Sequence, residues 1–513
     1  MNGAESLIRT LLANDIDVCF ANPGTSEMHL VAALDRISAM RPILCLFEGV
    51  VTGAADGYAR MARKPACTLL HLGPGLGNGI ANLHNAKKAH SPVVNIVGDH
   101  ATYHLKLDAP LASDIALLAS HVSGFVRTAS AQTLSVDAAD TIAASLSSAG
   151  QVATLIVPAN VAWGDGPDPA SRVTPPPRPT VISSAVARCT EALRSGKPAA
   201  LLMSGEALTD EGLEIAGRIA AKTGCRLICD TFNSRISRGG GRVKVERLPY
   251  FAEQAIDTLT GLATLITVGT KSPVAFFAYP DKPSSLLPEG TIHLSLSAPH
   301  EDTLGALATL SDELCANVPL PADLVTRHQL PSGRLDAMSV GQALAALMPE
   351  DAIISDEGGT LGGPSWGLTA NSPAHDWLFL TGGSIGQGLP VATGAAIACP
   401  DRKVICIHGD GGAMYTLQAL WTQSRERLDV VTIVLSNRKY AVLQVEFSRV
   451  GAGKPGPRAL DMLSLSNPEL NWVDLARGMG VEASRAQTAD EFVDQLRSAI
   501  AGRGPRLIEA IIV

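Results

Sequence analysis

The feature that most restricts the fold is a repeated pattern of short apolar runs separated by helix-length segments. Runs such as VCFANPG, VVNIVGD and KVICIHGDGG are rich in β-branched residues, and several end in Gly, Asp, Asn or His. Continuous apolar strands that alternate with helices predict parallel sheets covered by helices on both faces. Ligands of such sheets bind beyond the carboxyl ends of the strands, so the residues that follow these runs are the candidate site residues.

Two Pro-rich stretches without helical or alternating periodicity divide the 513-residue chain into three blocks. We therefore predict an α/β protein with three doubly wound parallel-sheet domains. The first, middle and third blocks span residues 1–164, 182–318 and 338–513, and the linkers span residues 165–181 and 319–337.

Composition excludes several classes of protein. The net charge is −8 and the sequence has no long basic block, so we expect no nucleic-acid partner. The nine Cys are scattered without the paired spacing of a zinc site, which favours buried thiols in a reducing compartment. The N-terminal segment is predicted to be an amphipathic helix rather than a signal peptide. No apolar run approaches the ~18 residues of a membrane span. We expect a cytoplasmic protein without a membrane partner.

The third block contains a candidate metal and diphosphate site. Asp410 follows the run KVICIHG, and Asn437 ends the next run, VVTIVLSN. Carboxylate and amide oxygens suit Mg²⁺, with Ca²⁺ possible, and such an ion can bridge to diphosphate oxygens. Gly411 and Gly412 would let backbone N–H groups approach the phosphates at a helix N-terminus. The alternative is an ordinary strand–turn–helix junction, but an Asn closing the next strand favours the metal–diphosphate site.

The segment from GDGG to SNRKY resembles the GDG…N motif of thiamine diphosphate (ThDP) enzymes. The arrangement of the whole chain is most similar to the benzoylformate decarboxylase and acetolactate synthase large subunit families. The resemblance implies that Asp410 and Asn437 bind the metal through side-chain oxygens and Lys439 through its carbonyl oxygen. It also implies that the three blocks are pyrimidine-binding, central and diphosphate-binding domains. The first of the family's two consecutive Asn is Ser436 here, but the ligand position is the second.

The segment TGGSIGQGLP is similar to the family segment that wedges an apolar side chain beneath the cofactor. The resemblance places Ile385 in that role, in which its side chain would force the cofactor into a bent conformation. The alternative is an Ile packed in a core beside a Gly-rich turn. The other cofactor-contacting residues implied by the resemblance are Pro23, Gly24, Asn78, Gly359, Thr360, Gly383, Gly411, Gly412 and Tyr440.

Glu48 is the candidate activating residue. It follows the apolar run ILCLF, and EGVVTGAADGYAR is similar to the family segment that carries a glutamate bonded to the aminopyrimidine. A buried carboxyl needs a partner, so we expect one near Glu48. A helix-capping Glu is the alternative. In the family this glutamate serves the cofactor held by another subunit, which implies a homodimer at minimum and commonly a homotetramer.

Two further catalytic residues follow from the resemblance. FANPGTSE is similar to the NPGSNE loop of benzoylformate decarboxylase, which places Thr25 where a hydroxyl binds the substrate carboxylate. CTLLHLGPG places His71 at the proton-transfer histidine. The alternative role of Thr25 is a helix cap or turn residue.

The middle block departs from the family pattern. The stretch VGTKSPVAFFAYPDKP lacks the second catalytic histidine of benzoylformate decarboxylase and offers Phe276, Phe277 and Tyr279 instead. His100 or His104 could replace the missing acid–base, as a hypothesis; a structural role is the alternative.

The sequence favours a 2-oxo acid decarboxylase or carboligase that resembles benzoylformate decarboxylase and acts through a C2 carbanion and an enamine. The alternatives are an FAD-containing acetolactate synthase, a 2-hydroxyacyl-CoA lyase and a non-catalytic ThDP-binding paralogue. No flavin pattern is visible in the middle block, so FAD is not expected. The substrate is not identified, because its pocket is formed by non-motif positions such as Pro110, Leu111, Val442, Leu443 and Glu446.

Overall fold

The computed structural model describes residues 1–320, 324–326 and 328–512. Residues 321–323 and 327 of the predicted linker 319–337, and residue 513 at the end of the third block, lie outside the described residues. The described residues form three sheets dominated by parallel strands and flanked by helices, so the predicted α/β class is confirmed. The domain boundaries remain a prediction.

The first sheet is parallel and has the strand order β2-β1-β3-β4-β6-β5. Its strands are β1 Val18–Asn22, β2 Arg41–Leu44, β3 Ala66–Leu70, β4 Val93–Asp99, β5 Phe125–Thr128 and β6 Val152–Pro158. Its helices are α1 Gly3–Ala13, α2 Met28–Arg36, α3 Glu48–Ala62, α4 Leu72–Ala89, α5 Ile115–Ser120, α6 Leu134–Leu146 and α7 Ala159–Trp163. The carboxyl ends of these strands share one edge, because the strands run in the same direction.

The second sheet has the order β10-β8-β7-β11-β12. The strands of the middle block are β7 Ala199–Met203, β8 Arg226–Cys229, β9 Ile236–Arg238, β10 Glu246–Arg247, β11 Thr264–Val268 and β12 Ile292–Ser297. The helices are α8 Ser183–Arg194, α9 Asp210–Thr223, α10 Ala252–Leu259 and α11 Thr303–Glu313.

The third sheet has the order β17-β18-β16-β15-β13-β14-β9. Its own strands are β13 Ala352–Glu357, β14 His375–Phe379, β15 Val404–Gly409, β16 Val430–Ser436, β17 Glu482–Ala486 and β18 Arg506–Ile511. The helices are α12 Ala337–Leu347, α13 Gly363–Leu368, α14 Gly388–Ala398, α15 Asp410–Ala413, α16 Ala419–Arg425, α17 Ala441–Arg449, α18 Pro457–Met462, α19 Trp472–Gly478 and α20 Ala489–Ala501. Strand β9 comes from the middle block and pairs antiparallel with β14, which the sequence did not predict.

Helices α3 and α14 hold the first and third blocks together at close range. A Cβ atom on Gly394 of α14 would lie 1.8 Å from the carbonyl oxygen of Ala54 on α3. A Cβ atom on Gly57 of α3 would lie 2.2 Å from the carbonyl oxygen of Val391 on α14. Only glycine allows the two helices to approach this closely. Glu48 begins α3, and α14 begins shortly after Ile385.

The nine cysteines are free thiols. The prediction of buried thiols holds for most of them but is wrong for Cys315, which is exposed in the turn after α11, and for Cys399, which is half-buried after α14. None of the helices within the described ranges combines the length and the apolar character needed to cross a membrane.

Candidate active site

Glu48 is the first residue of α3 and is only 9% exposed. The side-chain amide of Asn78 donates a hydrogen bond to Oε2 of Glu48 at 3.0 Å, which supplies the partner that a buried carboxyl needs. Asn78 lies within α4. The run ILCLFEG differs from the prediction, because β2 ends at Leu44 and Glu48 is helical. A helical start places the Glu48 carboxyl beside α4.

A second asparagine of α4 connects Glu48 with the Gly-rich turn of the third block. The side-chain amide of Asn82 donates to the carbonyl oxygen of Gly49 at 2.7 Å and to that of Gly386 at 3.3 Å. The turn therefore lies beside the first turn of α3 within one chain. Ile385 is 37% exposed in this turn, so it is not the core residue of the alternative hypothesis. Gly383 and Gly386 have φ angles of 76° and 93°, which shape the turn.

Asp410 begins α15 and is 3% exposed. Its carboxylate accepts hydrogen bonds from the backbone N–H groups of Gly411 at 2.9 Å and Arg438 at 2.7 Å. Burial raises the pKa of Asp410, and these donors oppose the rise. The side-chain oxygen of Asn437 accepts from the N–H of Lys439 at 3.2 Å. The fold thus brings Asp410 to the segment that carries Asn437 and Lys439.

This arrangement fits a divalent ion shared with a diphosphate. Within the described ranges there is no cluster of three or more His, Cys, Asp or Glu residues that could hold a metal alone. An ion at Asp410 would therefore take amide, carbonyl and diphosphate oxygens as its other ligands, which is the usual setting of Mg²⁺. Gly359 has a φ of 56°, and no described atom lies within 4 Å of the position of its Cβ. Thr360 is exposed beside it, so this edge of the sheet has room for a ligand.

The same edge of the third sheet is lined by an aromatic ring. A Cβ atom on Gly411 would lie 2.4 Å from the ring of Tyr440, so Gly411 passes directly against this ring. Gly412 follows, and its Cβ would come within 2.8 Å of Oε1 of Glu357. Both predicted phosphate-loop glycines are therefore positions where a side chain would not fit.

His71 lies at the end of β3 and is oriented by a residue that the sequence analysis missed. Its Nδ1 atom is 2.7 Å from Oε2 of Glu27, which is fully buried. The same oxygen accepts the N–H of Gly24 at 2.8 Å. Burial raises the pKa of Glu27, and its hydrogen bonds with Gly24 and His71 oppose the rise. The sequence did contain a signal for Glu27, because this residue lies in the segment NPGTSE, from which Thr25 was selected.

Gly24 and Thr25 follow β1 at the same edge. A Cβ atom on Gly24 would lie 2.4 Å from Nδ1 of His71, so Gly24 makes room for the imidazole ring. Pro23 is half-buried and Thr25 is exposed at the start of the 3₁₀ helix Thr25–Glu27. Gly24 is the cap residue of that helix, so the alternative role of Thr25 as a cap is wrong.

Comparison with known proteins agrees with this geometry. The sequence profiles "Thiamine pyrophosphate enzyme, N-terminal TPP binding domain" and "Thiamine pyrophosphate enzyme, C-terminal TPP binding domain" match residues 1–119 and 364–510. A Mycobacterium tuberculosis protein named "Putative acetolactate synthase large subunit IlvX" is 52% identical over 100% of this chain and 99% of its own length. The chain belongs to the thiamine pyrophosphate enzyme family.

Two further relatives of this thiamine pyrophosphate enzyme are named as decarboxylases. Benzoylformate decarboxylase of Pseudomonas aeruginosa is 27% identical over 97% of this chain and 96% of its own. The structure of the ThDP-dependent 4-hydroxybenzoylformate decarboxylase of Rhodococcus jostii RHA1 superimposes with a TM-score of 0.86 and 25% identity, over 100% of this chain and 99% of that chain. The resemblance found in the sequence is confirmed, and the protein is a ThDP-dependent enzyme.

The histidines proposed to replace the family's second catalytic histidine lie at the end of β4. The ring centroids of His100 and His104 are 5.3 Å apart. Nε2 of His100 is buried and has no hydrogen-bond partner among the described residues. A Cβ atom on Gly98, two residues earlier, would lie 1.7 Å from Oε1 of Glu27. The pair is therefore close to the carboxylate that orients His71, and its catalytic role remains a hypothesis.

The middle block contributes an aromatic ring beside the Gly-rich turn of the third block. A Cβ atom on Gly383 would lie 3.1 Å from the ring of Phe276, which places this ring beside the turn that carries Ile385. On α17, Leu443 is 46% exposed, whereas Glu446 is 8% exposed. Glu446 lies near the hydroxyl group of Tyr250. Burial of this tyrosine raises its pKa, and the negative charge of Glu446 raises it further.

Proposed function

We propose that this thiamine pyrophosphate enzyme acts on 2-oxo acids, as a decarboxylase or carboligase similar to benzoylformate decarboxylase. One observation carries the proposal. His71 is held by the buried Glu27 and packs against Gly24, so His71 and Thr25 follow the neighbouring strands β3 and β1 at the same edge of the sheet. Decarboxylation and carboligation both need a group that delivers or removes a proton at the new carbanion centre.

When bound, ThDP would supply a nucleophilic carbon for the substrate carbonyl and a conjugated ring that serves as the electron sink for decarboxylation. Glu48 would hold the aminopyrimidine and exchange a proton with it, while Asn78 orients the Glu48 carboxyl. Asp410, Asn437 and Lys439 would hold Mg²⁺ together with the diphosphate. The remaining residues proposed to line the cofactor are Pro23, Gly24, Gly359, Thr360, Gly383, Ile385, Gly411, Gly412 and Tyr440.

The substrate would be handled by the first block. Nδ1 of His71 faces Glu27, so Nε2 is the nitrogen that can move a proton to or from the substrate. The hydroxyl of Thr25 would bind the substrate carboxylate until CO₂ leaves. Phe276 would form an apolar wall near Ile385, which suits a 2-oxo acid with an apolar side chain.

We also propose a homodimer, assembled into a homotetramer, with active sites between subunits. Large apolar side chains are exposed on the first block, at Leu107 and Leu117 (71% and 70%), and on the third block, at Ile385 and Tyr415 (37% and 54%). Exposed apolar side chains of this kind support a partner surface.

A complementation experiment tests the assembly. If each site combines Glu48 of one subunit with Asp410 of another, Glu48→Gln and Asp410→Asn proteins are inactive alone but regain activity when their subunits are exchanged, because the mixed dimer has one intact site. A mixture that stays inactive, although differently tagged subunits co-purify as mixed dimers, would contradict sites between subunits.

The substrate proposal is tested with purified protein, ThDP and Mg²⁺. Pyruvate, benzoylformate and branched 2-oxo acids are supplied in turn, and CO₂, aldehyde and acyloin are measured. CO₂ release from at least one 2-oxo acid is expected; no turnover of any of them would overturn the proposal.

The main alternative is an acetolactate synthase, favoured by the name of the 52% identical relative. It predicts acyloin as the main product from pyruvate and a flavin absorption band in the active protein. An active protein without this band would exclude the FAD-containing alternative.

A further inference from the structure

A buried glutamate–histidine pair lies between the turn that carries Ile385 and the loop that begins at Asp410. Glu357 ends β13 and is 7% exposed, and His408 in β15 is 0% exposed. Nε2 of His408 is 3.3 Å from Oε2 of Glu357, a close contact without the geometry of a hydrogen bond. Nδ1 of His408 donates to the carbonyl oxygen of Gly409 at 3.1 Å. Both ring nitrogens therefore face oxygen atoms.

The Glu357 carboxylate holds the start of α14. Its Oε1 accepts the N–H of Gly386 at 2.7 Å, and its Oε2 accepts those of Gln387 at 2.8 Å and Gly388 at 2.7 Å. Burial raises the pKa of Glu357, but the His408 charge and these donors outweigh burial, so the pKa is lowered overall. A carboxylate with these donors fixes three consecutive residues that directly follow Ile385.

The same pair touches the diphosphate loop. A Cβ atom on Gly412 would lie 2.8 Å from Oε1 of Glu357 and 3.0 Å from Cε1 of His408. On the other side, a Cβ atom on Gly388 would lie 2.7 Å from Cδ2 of His408. The pair is thus packed directly between two backbone segments, one proposed to support the bend of ThDP and one proposed to hold its diphosphate.

Gln387 extends this contact to the helix that begins with Glu48. Its side-chain amide donates to Oδ2 of Asp56 on α3 at 2.7 Å. Asp56 also accepts from Arg60 at 2.6 Å and from Ser91 at 2.5 Å. A continuous buried polar network therefore runs from α3 through the Ile385 turn to β15, and Glu357 is its central acceptor.

We propose that Glu357 and His408 are positioning residues that set the Ile385 turn, beneath the bend of ThDP, relative to the loop that holds its diphosphate. The pair is buried, so we assign it no contact with the substrate or the reacting atoms. This inference rests on the proposed cofactor site but not on the identity of the 2-oxo acid.

Glu357→Gln is the test variant, because it keeps the size of the side chain but replaces one acceptor oxygen with an NH₂ group that meets backbone donors. Asp376→Asn is the matched control: Asp376 is a buried carboxylate of the neighbouring strand β14, paired with Arg235 at 2.9 Å and Arg402 at 2.7 Å, away from the turn. Both variants are expected to unfold at lower temperature than the wild type. Only Glu357→Gln should change cofactor binding.

Apoprotein is titrated with ThDP and Mg²⁺ by calorimetry, and the bound cofactor is followed by near-ultraviolet circular dichroism. Glu357→Gln should raise the Kd of ThDP by about 10–100-fold, the usual effect of losing a residue that supports a binding group. At saturating ThDP its kcat should fall, by as much as about 100-fold, since small displacements at a reacting centre have effects of this size. The KM for the 2-oxo acid should be unchanged, and Asp376→Asn should retain wild-type Kd and kcat.

His408→Gln provides a second variant in case Glu357→Gln does not fold. It removes the ring between Gly388 and Gly412 and should also raise the Kd of ThDP. Wild-type ThDP affinity in every variant that folds would overturn the inference. Weakened ThDP binding without any 2-oxo acid turnover in the wild type would instead leave the inference standing and overturn the proposed substrate.

Discussion

Nδ1 of His71 lies 2.7 Å from Oε2 of Glu27, although the two residues are 44 positions apart in the sequence. A buried carboxylate at this distance sets the orientation of the imidazole ring and determines which nitrogen faces it. The opposite nitrogen, Nε2, is left for chemistry. His71 is still partly exposed, with 24% of its side chain accessible, so a substrate can reach it.

Removing this pair tests its catalytic role. His71→Ala is expected to lower kcat/KM by about 10²–10⁴-fold, the usual contribution of a positioned acid–base group. Glu27→Gln should have a smaller effect, because the ring remains but loses its charged partner. The double variant should be close to His71→Ala alone, since Glu27 acts through His71. Fully multiplicative effects in steady-state kinetics would show that the two residues act independently.

Glu48→Gln tests cofactor activation. The variant should bind ThDP but lose about 10²–10⁴-fold in kcat, because the amide cannot exchange the proton that a carboxyl exchanges. Calorimetry with ThDP and steady-state kinetics separate the two effects. Asn78→Leu is the companion variant and should lower kcat less than Glu48→Gln does. Unchanged turnover in Glu48→Gln would disprove the assigned role.

Metal removal tests the Asp410 site. Chelation of divalent ions should release ThDP and abolish activity, and Mg²⁺ with ThDP should restore both. The reason is that the described residues contain no cluster of His, Cys, Asp or Glu that could hold the ion without the diphosphate. Asp410→Asn should weaken ThDP binding by at least about 100-fold, the upper end of effects measured for residues that merely support metal ligands. Cofactor that stays bound in excess chelator would argue against the shared ion.

Close packing between α3 and α14 gives a prediction on stability. Gly394→Ala should lower the free energy of unfolding by about 1–3 kcal/mol or more, because the added methyl group overlaps the carbonyl of Ala54. Gly367→Ala is the matched control in α13, where no described atom lies within 4 Å of the Cβ position. Alanine there should be neutral or stabilising by up to about 1 kcal/mol. Equal urea-unfolding curves for the two variants would contradict the observed helix contact.

Asp230 gives a prediction on pH. It follows β8, accepts a hydrogen bond from Thr270 at 2.7 Å, and burial raises its pKa from 3.8 to about 6. Because the folded state binds the Asp230 proton more tightly, this proton stabilises the fold at pH values below the pKa of the unfolded chain. The stabilisation is lost as the pH rises through the pKa of the folded protein. The stability of Asp230→Asn relative to the wild type should therefore increase between about pH 4 and pH 7 and then level off. A pH-independent difference in urea unfolding would rule out a raised pKa.

The strands that sequence patterns missed have identifiable physical causes. Strands β5 and β17 lie at sheet edges and are partly exposed, so they lack a continuous apolar run. Strand β14 is buried but contains Asp376, whose charge is paired with Arg235 and Arg402 from other parts of the chain. Its pairing with β9 joins the middle block to the third sheet, and no local pattern predicts a pairing over such a separation.

The candidate site also divides into features that local sequence predicts and contacts that only the fold creates. The apolar runs were sufficient to predict the strand ends at His71, Asp410 and Asn437, and the resemblance of the motifs around them indicated the family. Glu48 was identified by its flanking sequence, although its helical setting was not. These features are local, because they depend on a strand, a turn and the few residues that follow.

The sequence by itself determined the α/β class, the ThDP family and the positions at which site residues follow strands. Only the tertiary structure decided which side chains meet: Glu27 with His71, Asn78 with Glu48, and Glu357 with His408. Each pair joins separate elements that come together when parallel strands align their carboxyl ends or when a helix packs across them. A buried charge is stable only with such a partner, and the partner is chosen by packing rather than by sequence spacing.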